Sequence, residues 1–234
     1  MTEKAKKVMI AAGGTGGHIF TGVAVAEEFA EMLPGSRITF VGTSRGLEQR
    51  VIPSLGWQLV MIKAPKYKGM SGFRKLMALI KIPFSTLSAL RVINSKKPDI
   101  LVSIGGYASG PLSIAAWLFR VPIVLVEPNA IPGMANRLVG RFARLIFVAF
   151  DNASSYFNSA KVIKYGVPVR KVIREAKHEL KDLQNTFTIF VFGGSQGAKR
   201  LNDSMKDAVR GLSDLKDRLK IIHQTGSAES VTEI

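Results

Sequence analysis

The chain has 234 residues, 47% hydrophobic and 21% charged, enough to bury one sizeable core and part of a second and too apolar for a disordered protein. It contains no cysteine, which excludes disulfides, thiolate metal sites and thiol nucleophiles. A formal net charge of +16 favours polyanionic partners, whether nucleic acid, anionic lipid or phosphorylated substrates.

The first element is an apolar run, Val8 to Ala12, that ends in Gly13-Gly-Thr-Gly-Gly-His18. The run is too short for a signal-peptide core and has the character of a strand. Ile19, Val23, Ala26, Ala30 and Leu33 then recur at helical spacing, while Glu27, Glu28 and Glu31 fall elsewhere. A strand, a glycine turn and a helix N-terminus leave backbone N–H groups aimed at a ligand, and the glycines let a phosphate approach without meeting a Cβ atom. Two familiar phosphate loops are excluded by spacing. A dinucleotide fingerprint needs glycine where Ile19 stands and an acidic residue where the next strand ends in Val41-Gly42-Thr43, and a P-loop needs Gly-Lys-Ser/Thr. His18, at the helix mouth, adds a group that titrates near neutral pH.

Further strands are predicted at 37–42, 58–62, 99–103, 122–126 and 145–149, separated by helical stretches, which implies a parallel sheet with its ligands beyond the carboxyl ends of the strands. The strand at 99–103 leads into a second glycine loop, Gly105-Gly-Tyr-Ala-Ser-Gly110. The strand at 122–126 leads into Glu127-Pro-Asn129, a carboxylate and an amide suited to sugar hydroxyls. Between Lys63 and Lys97 there are nine basic residues and no acidic one, around a helical stripe of Phe73, Leu76, Met77, Ile80, Phe84 and Leu87. A core-facing helix with a solvated basic face would give the same stripe, but the exclusion of acids favours a surface lying on an anionic bilayer. The most membrane-like window, Tyr107 to Val126, is interrupted by Gly110-Pro111 and Pro122 and reads as a helix followed by a buried strand.

Beyond Asp151 the apolar periodicity weakens and the stretch to Asn185 reads as a linker. A strand at 186–192 then leads into Gly193-Gly-Ser-Gln-Gly-Ala198 and another helix, repeating the opening pattern and implying two similarly built domains, 1–165 and 166–234.

Gly-Gly-Thr-Gly-Gly-His at 13–18, Gly-Gly-Tyr-x-Ser-Gly-Pro at 105–111, Asn-Ala-Ile-Pro-Gly at 129–133, Pro-Val-Arg at 168–170, Gly-Gly-Ser-Gln-Gly-Ala at 193–198 and His-Gln-Thr-Gly at 223–226 occur in that order. Each is weak alone, but the ordered set resembles the MurG family of N-acetylglucosaminyltransferases of peptidoglycan synthesis. The resemblance implies an α/β fold of GT-B type, with a Rossmann-like parallel-sheet domain followed by the beginning of a second one. It implies inverting transfer of N-acetylglucosamine from UDP-N-acetylglucosamine to undecaprenyl-linked lipid I at the cytoplasmic face of the plasma membrane, with no cofactor and no metal.

By the same resemblance Thr15, Gly16, Gly17, Asn129, Arg170 and Ser195 match donor-contacting positions. Gly14, Gly105, Gly106, Tyr107, Ser109 and Glu127 would face the acceptor, and His18 is the candidate general base. The family usually has His-Glu-Gln-Asn where this chain has Val126-Glu127-Pro128-Asn129. Relatives of this kind continue for roughly another 100 residues, about the missing part of a domain. Little or no turnover by this chain alone is therefore expected. The alternative is a non-catalytic acceptor-binding and membrane-docking module that needs a separate donor-binding chain. Nucleic-acid binding rests on charge alone, without a recognition motif or interleaved stacking aromatics, and is not expected.

Overall fold

A computed structural model describes residues 5–44, 46–63, 82–176, 186–194 and 197–226, which fall into two compact units, Met1–Glu175 and Ala176–Ile234. The first unit is built on a parallel seven-stranded sheet of β1 (Lys7–Ala12), β2 (Arg37–Gly42), β3 (Gln58–Met61), β4 (Ile100–Gly105), β5 (Ile123–Glu127), β6 (Leu145–Val148) and β7 (Val162–Lys164). Their spatial order is β3-β2-β1-β4-β5-β6-β7, so the winding direction reverses between β1 and β4. At such a reversal the loops leaving two neighbouring strands diverge to opposite faces and open a crevice at the carboxyl edge.

The sheet is covered on both faces, as parallel sheets require. On one face Val8, Ile10 and Ala12 of β1 meet Ile19, Val23 and Ala26 of helix α1 (Gly16–Met32), with Phe40, Val102 and Ile104 from the flanking strands. On the other, Met9 and Ala11 meet the layer formed by α3 (Ile82–Lys96), α4 (Ser109–Leu118) and α5 (Met134–Phe142), through Ala89, Ile93, Leu112, Ala115 and Val139. This two-sided burial explains why β1 reads as a continuous apolar run. The apolar stripe of α1 is buried at Ile19, Val23 and Ala26 but exposed at Ala30 and Leu33, where the helix gives way to Pro34 and the positive-φ Gly35.

A short helix, α2 (Glu48–Ser54), follows β2. The stretch after Asp151, expected as a linker, instead continues the first unit. It forms α6 (Asp151–Ser154), a 3-10 turn at Ser159–Lys161, then β7, which pairs with β6 at Ile146↔Val162, and α7 (Lys171–Arg174). An edge strand of three residues, only partly buried, carries too little apolar periodicity to be read from sequence. In the second unit β8 (Phe187–Phe192) and β9 (Leu219–Gln224) pair in parallel across α8 (Lys199–Arg210), the strand-glycine-helix-strand pattern expected from the repeat. Most of the basic segment, including Phe73, Lys75, Leu76, Met77, Ile80 and Lys81, lies outside the described residues. Among the described residues no helix is long and apolar enough to cross a membrane.

Helix α1 seats closely on the sheet at Gly22, where an added Cβ would lie 2.7 Å from the Ala12 Cβ and 3.2 Å from the Phe40 ring. Gly22→Ala is therefore expected to destabilise the first unit by about 1–3 kcal/mol despite the gain in helix propensity, measured as a lower urea midpoint at unchanged m-value.

Candidate active site at the carboxyl edge of the sheet

The loops that follow β1 and β4 meet at the winding reversal. The Gly13 N–H donates to the Gly105 carbonyl at 3.2 Å, and a Cβ on Gly106 would lie 2.6 Å from the Gly13 carbonyl oxygen. Gly14, Gly105 and Gly106 all have positive φ, where a side chain would be strained, and at Gly105 and Gly106 it would be crowded as well. Thr15 precedes α1 in an extended conformation without capping the helix with its side chain, and the first turn has no acidic residue. The early amides of α1 are thus not taken up by a side-chain cap. Thr15 and Gly17 are exposed and Gly16 is half-buried.

His18 lies across this junction. Its Nδ1 is 3.3 Å from the Gly13 carbonyl oxygen and 3.4 Å from the Thr15 hydroxyl. A carbonyl only accepts, so Nδ1 carries the proton and donates, and Nε2 is left as the acceptor nitrogen of a neutral ring. Nε2 sits against Gly105, where a Cβ would come within 2.8 Å of it. Burial pushes the His18 pKa below its ordinary value, outweighing the opposite pull of the Gly13 carbonyl and of the Glu127 charge. The arrangement gives a neutral imidazole that can take up a proton at Nε2.

Glu127 ends β5 with 1% of its surface exposed, and both of its oxygens are occupied. One accepts from the Asn129 backbone N–H at 2.9 Å and from Asn129 Nδ2 at 2.8 Å, and the other accepts from Asn136 Nδ2 at 2.8 Å. Asn136 Nδ2 also donates to the Ile104 carbonyl at 2.9 Å and so ties α5 to β4. Asn129 is exposed at the loop tip. The Glu127–Asn129 pair is therefore kept although Val126 and Pro128 depart from the familiar pattern.

Ser109, expected to contact the acceptor, is fully buried and shares a hydrogen bond with the Ser103 hydroxyl. Ser109 and Glu127 thus brace the second and third loops from inside instead of facing solvent. Tyr107 is half-buried beside Gly106.

Arg170 places its guanidinium 4.6 Å from the centroid of the Phe20 ring, in the first turns of α1. The residues that follow are fastened to the acidic face of the same helix. The Lys171 N–H donates to Glu27 at 2.8 Å, Lys171 Nζ to Glu31 at 2.9 Å, and Arg174 to Glu28 at 3.0 Å. The Lys171 hydrogen bond lowers the Glu31 pKa, and the matching bonds from Glu31 and Glu28 raise those of Lys171 and Arg174.

In the second unit the Gly193–Ala198 loop is closed by the Gly197 N–H donating to the Gly194 carbonyl at 2.8 Å, and Asn202 Nδ2 donates to the Thr225 carbonyl at 2.9 Å. Ser195 lies outside the described residues. The sequence reading brought together His18, the first two glycine loops and the Glu127–Asn129 turn. It missed Asn136 and Glu48, the latter buried beneath the first loop.

The model of the glycosyltransferase family 28 N-terminal domain matches residues 8–148, and that of its C-terminal domain matches residues 188–233. The chain belongs to glycosyltransferase family 28. Two curated relatives share the name UDP-N-acetylglucosamine–N-acetylmuramyl-(pentapeptide) pyrophosphoryl-undecaprenol N-acetylglucosamine transferase. The one from Myxococcus xanthus is 42% identical over 94% of this chain and 57% of its own length, and the one from Bdellovibrio bacteriovorus is 40% identical over 98% and 64%. The chain thus spans about 60% of the length of these family-28 relatives. Among solved structures, MurG of Acinetobacter baumannii superposes with a TM-score of 0.69 at 29% identity, covering 96% of this chain and 60% of that one. MnaA of S. aureus, solved with UDP, has a TM-score of 0.61 at 17% identity and shares the fold alone. The expected α/β class of GT-B type is the fold of this family-28 chain.

The neutral state of His18 in this family-28 site is measurable. Its ring is expected to titrate below 6.5, the ordinary value, in an NMR pH series. The folded state then binds fewer protons than the unfolded chain, so its contribution to stability is complete above 6.5 and is lost as pH falls through the lower folded value. His18→Gln should flatten that part of the stability profile.

Proposed function

We propose that this chain serves inverting transfer of N-acetylglucosamine from UDP-N-acetylglucosamine to the muramyl sugar of undecaprenyl-linked lipid I, forming lipid II. The observation that carries the reading is the junction of two glycine loops with the acceptor nitrogen of a neutral His18 at the carboxyl edge of one sheet. The names of the curated relatives supply the donor and the acceptor class.

In this reading the muramyl 4-hydroxyl oxygen bonds to the anomeric carbon as its proton passes to His18 Nε2. The anomeric C–O bond to the diphosphate breaks, and UDP leaves with the bonding pair. The amides of Thr15, Gly16 and Gly17 at the start of α1, together with Arg170, meet the phosphate charge. The exposed Asn129, just beyond the end of β5, adds a donor contact. Gly105, Gly106 and Tyr107 line the acceptor side.

The acceptor's lipid calls for peripheral contact with an anionic membrane surface at the cytoplasmic face of the plasma membrane. Support comes from Phe84 and Leu87, 69% and 48% exposed, with the exposed Arg91 one turn further along the same face of α3.

Binding and turnover are read separately, because the chain spans about 60% of its relatives' length. A soluble lipid I analogue is expected to bind the chain, and transfer of labelled N-acetylglucosamine to it is expected to be slow. His18→Ala should lower the transfer rate by about 10²–10⁴-fold with little change in acceptor affinity. Absence of both binding and transfer overturns the function, and an unchanged rate in His18→Ala removes the base.

Membrane contact is tested by co-sedimentation with phosphatidylglycerol-containing vesicles. The chain is expected to sediment at low salt and to be released as ionic strength rises. The double change Phe84→Ser and Leu87→Ser should abolish retention, and retention by neutral vesicles to the same extent would contradict the electrostatic part of the reading.

A further inference from the structure

Glu48 opens α2, a position at which an acidic residue is ordinarily a solvated partner of the helix dipole. Here it is 1% exposed. Its carboxylate lies beneath the first glycine loop and joins the ends of two strands. Oε2 accepts from the Gly14 N–H at 2.9 Å, and Oε1 accepts from the Thr43 N–H at 3.0 Å and the Thr43 hydroxyl at 3.1 Å. Thr43 is itself buried, so both carboxylate oxygens are satisfied by donors of the protein.

The room for this side chain comes from three glycines, Gly13 of the first loop, Gly42 at the end of β2 and Gly46 of the β2–α2 connection. A Cβ on Gly13 would lie 2.8 Å from Oε1, and one on Gly42 would lie 2.5 Å from Cγ. A Cβ on Gly46 would overlap Oε2. Among the described residues the Glu48 carboxylate is held by those three donated hydrogen bonds.

We propose that Glu48 is the positioning residue of the first glycine loop. It anchors Gly14 at φ 83°, and so fixes where the Thr15–Gly17 amides stand relative to His18. This deepens the reading above and rests on it for the claim that those amides meet a phosphate. It also changes one expected contact: the Gly14 N–H is engaged inward by Glu48, so a diphosphate at this loop is held by the amides that follow, not by Gly14.

Glu48→Gln tests this with little change of volume. One oxygen becomes an NH₂ group that faces either the Gly14 or the Thr43 N–H, donor against donor, and one anchor is lost. Inorganic pyrophosphate serves as the probe, with affinity measured by NMR titration of the amides. In the unaltered chain pyrophosphate is expected to shift the Thr15–Gly17 amides and to leave Gly14 the least moved of the loop. In Glu48→Gln the affinity should fall about tenfold, the loss of one charge-assisted hydrogen bond, and the Gly14 amide should lose its protection from hydrogen exchange. Thr43→Val, which removes only the hydroxyl donor, should give a smaller loss in the same direction and keeps the test open if Glu48→Gln does not fold.

Unchanged pyrophosphate affinity and unchanged Gly14 protection in a folded Glu48→Gln chain overturn the proposal. So does a Gly14 amide that exchanges freely in the unaltered protein. If the unaltered chain binds no pyrophosphate while Gly14 is protected in a Glu48-dependent way, the anchoring stands and the phosphate reading of the loop fails.

Discussion

The first unit depends on the close passage of two backbones at the carboxyl ends of β1 and β4. The Gly13 N–H reaches the Gly105 carbonyl, and Gly106 rests on the Gly13 carbonyl with no space for a Cβ between them. The order of strands makes this junction the place where chain direction reverses, so α1 leaves to one face and α4 to the other. The apolar layers on either side hold the strands rigid, and glycine is what lets the loops meet once they are held. The start of α1 and the ring of His18 lie directly at that contact.

Charge is arranged around the junction in an unusual way for a chain with a net charge of +16. The side chains buried directly behind the loops include two carboxylates, Glu48 and Glu127, each at 1% exposure and each satisfied by N–H or O–H donors. In the proposed function the positive field towards a phosphate would therefore come from backbone amides, the helix N-terminus and Arg170, not from a lysine in the loop. A carboxylate that accepts several donors can hold several loops together at once, which a cation at the same place could not do with amides.

The glycine loops and six strands of the first sheet were legible in the sequence because both signals are local. Strands with both faces buried spell out as apolar runs, and the loops as glycine clusters just after them. β7 was not legible, since Val162-Ile-Lys164 is short and half solvated and owes its existence to the free edge of β6. Glu48 was not legible either. Nothing in Gly46-Leu-Glu48 distinguishes a surface glutamate from a buried one, and its burial is decided by glycines at 13 and 42 that only the folded sheet brings near it. Ser109 was over-read for a similar reason. A serine in a glycine loop looks like a ligand contact until Ser103, on the strand beneath, provides it with an internal partner.

Arg170 follows a segment that began, in sequence, as connection, yet it rests on Phe20 while Lys171 and Arg174 grip the outer face of α1. That helix also supplies the first loop at its start. The arginine and the loop are therefore carried on one rod, and their separation is a property of the first unit alone. A phosphate bridged between the α1 amides and Arg170 would thus be gauged by the pitch of a single helix.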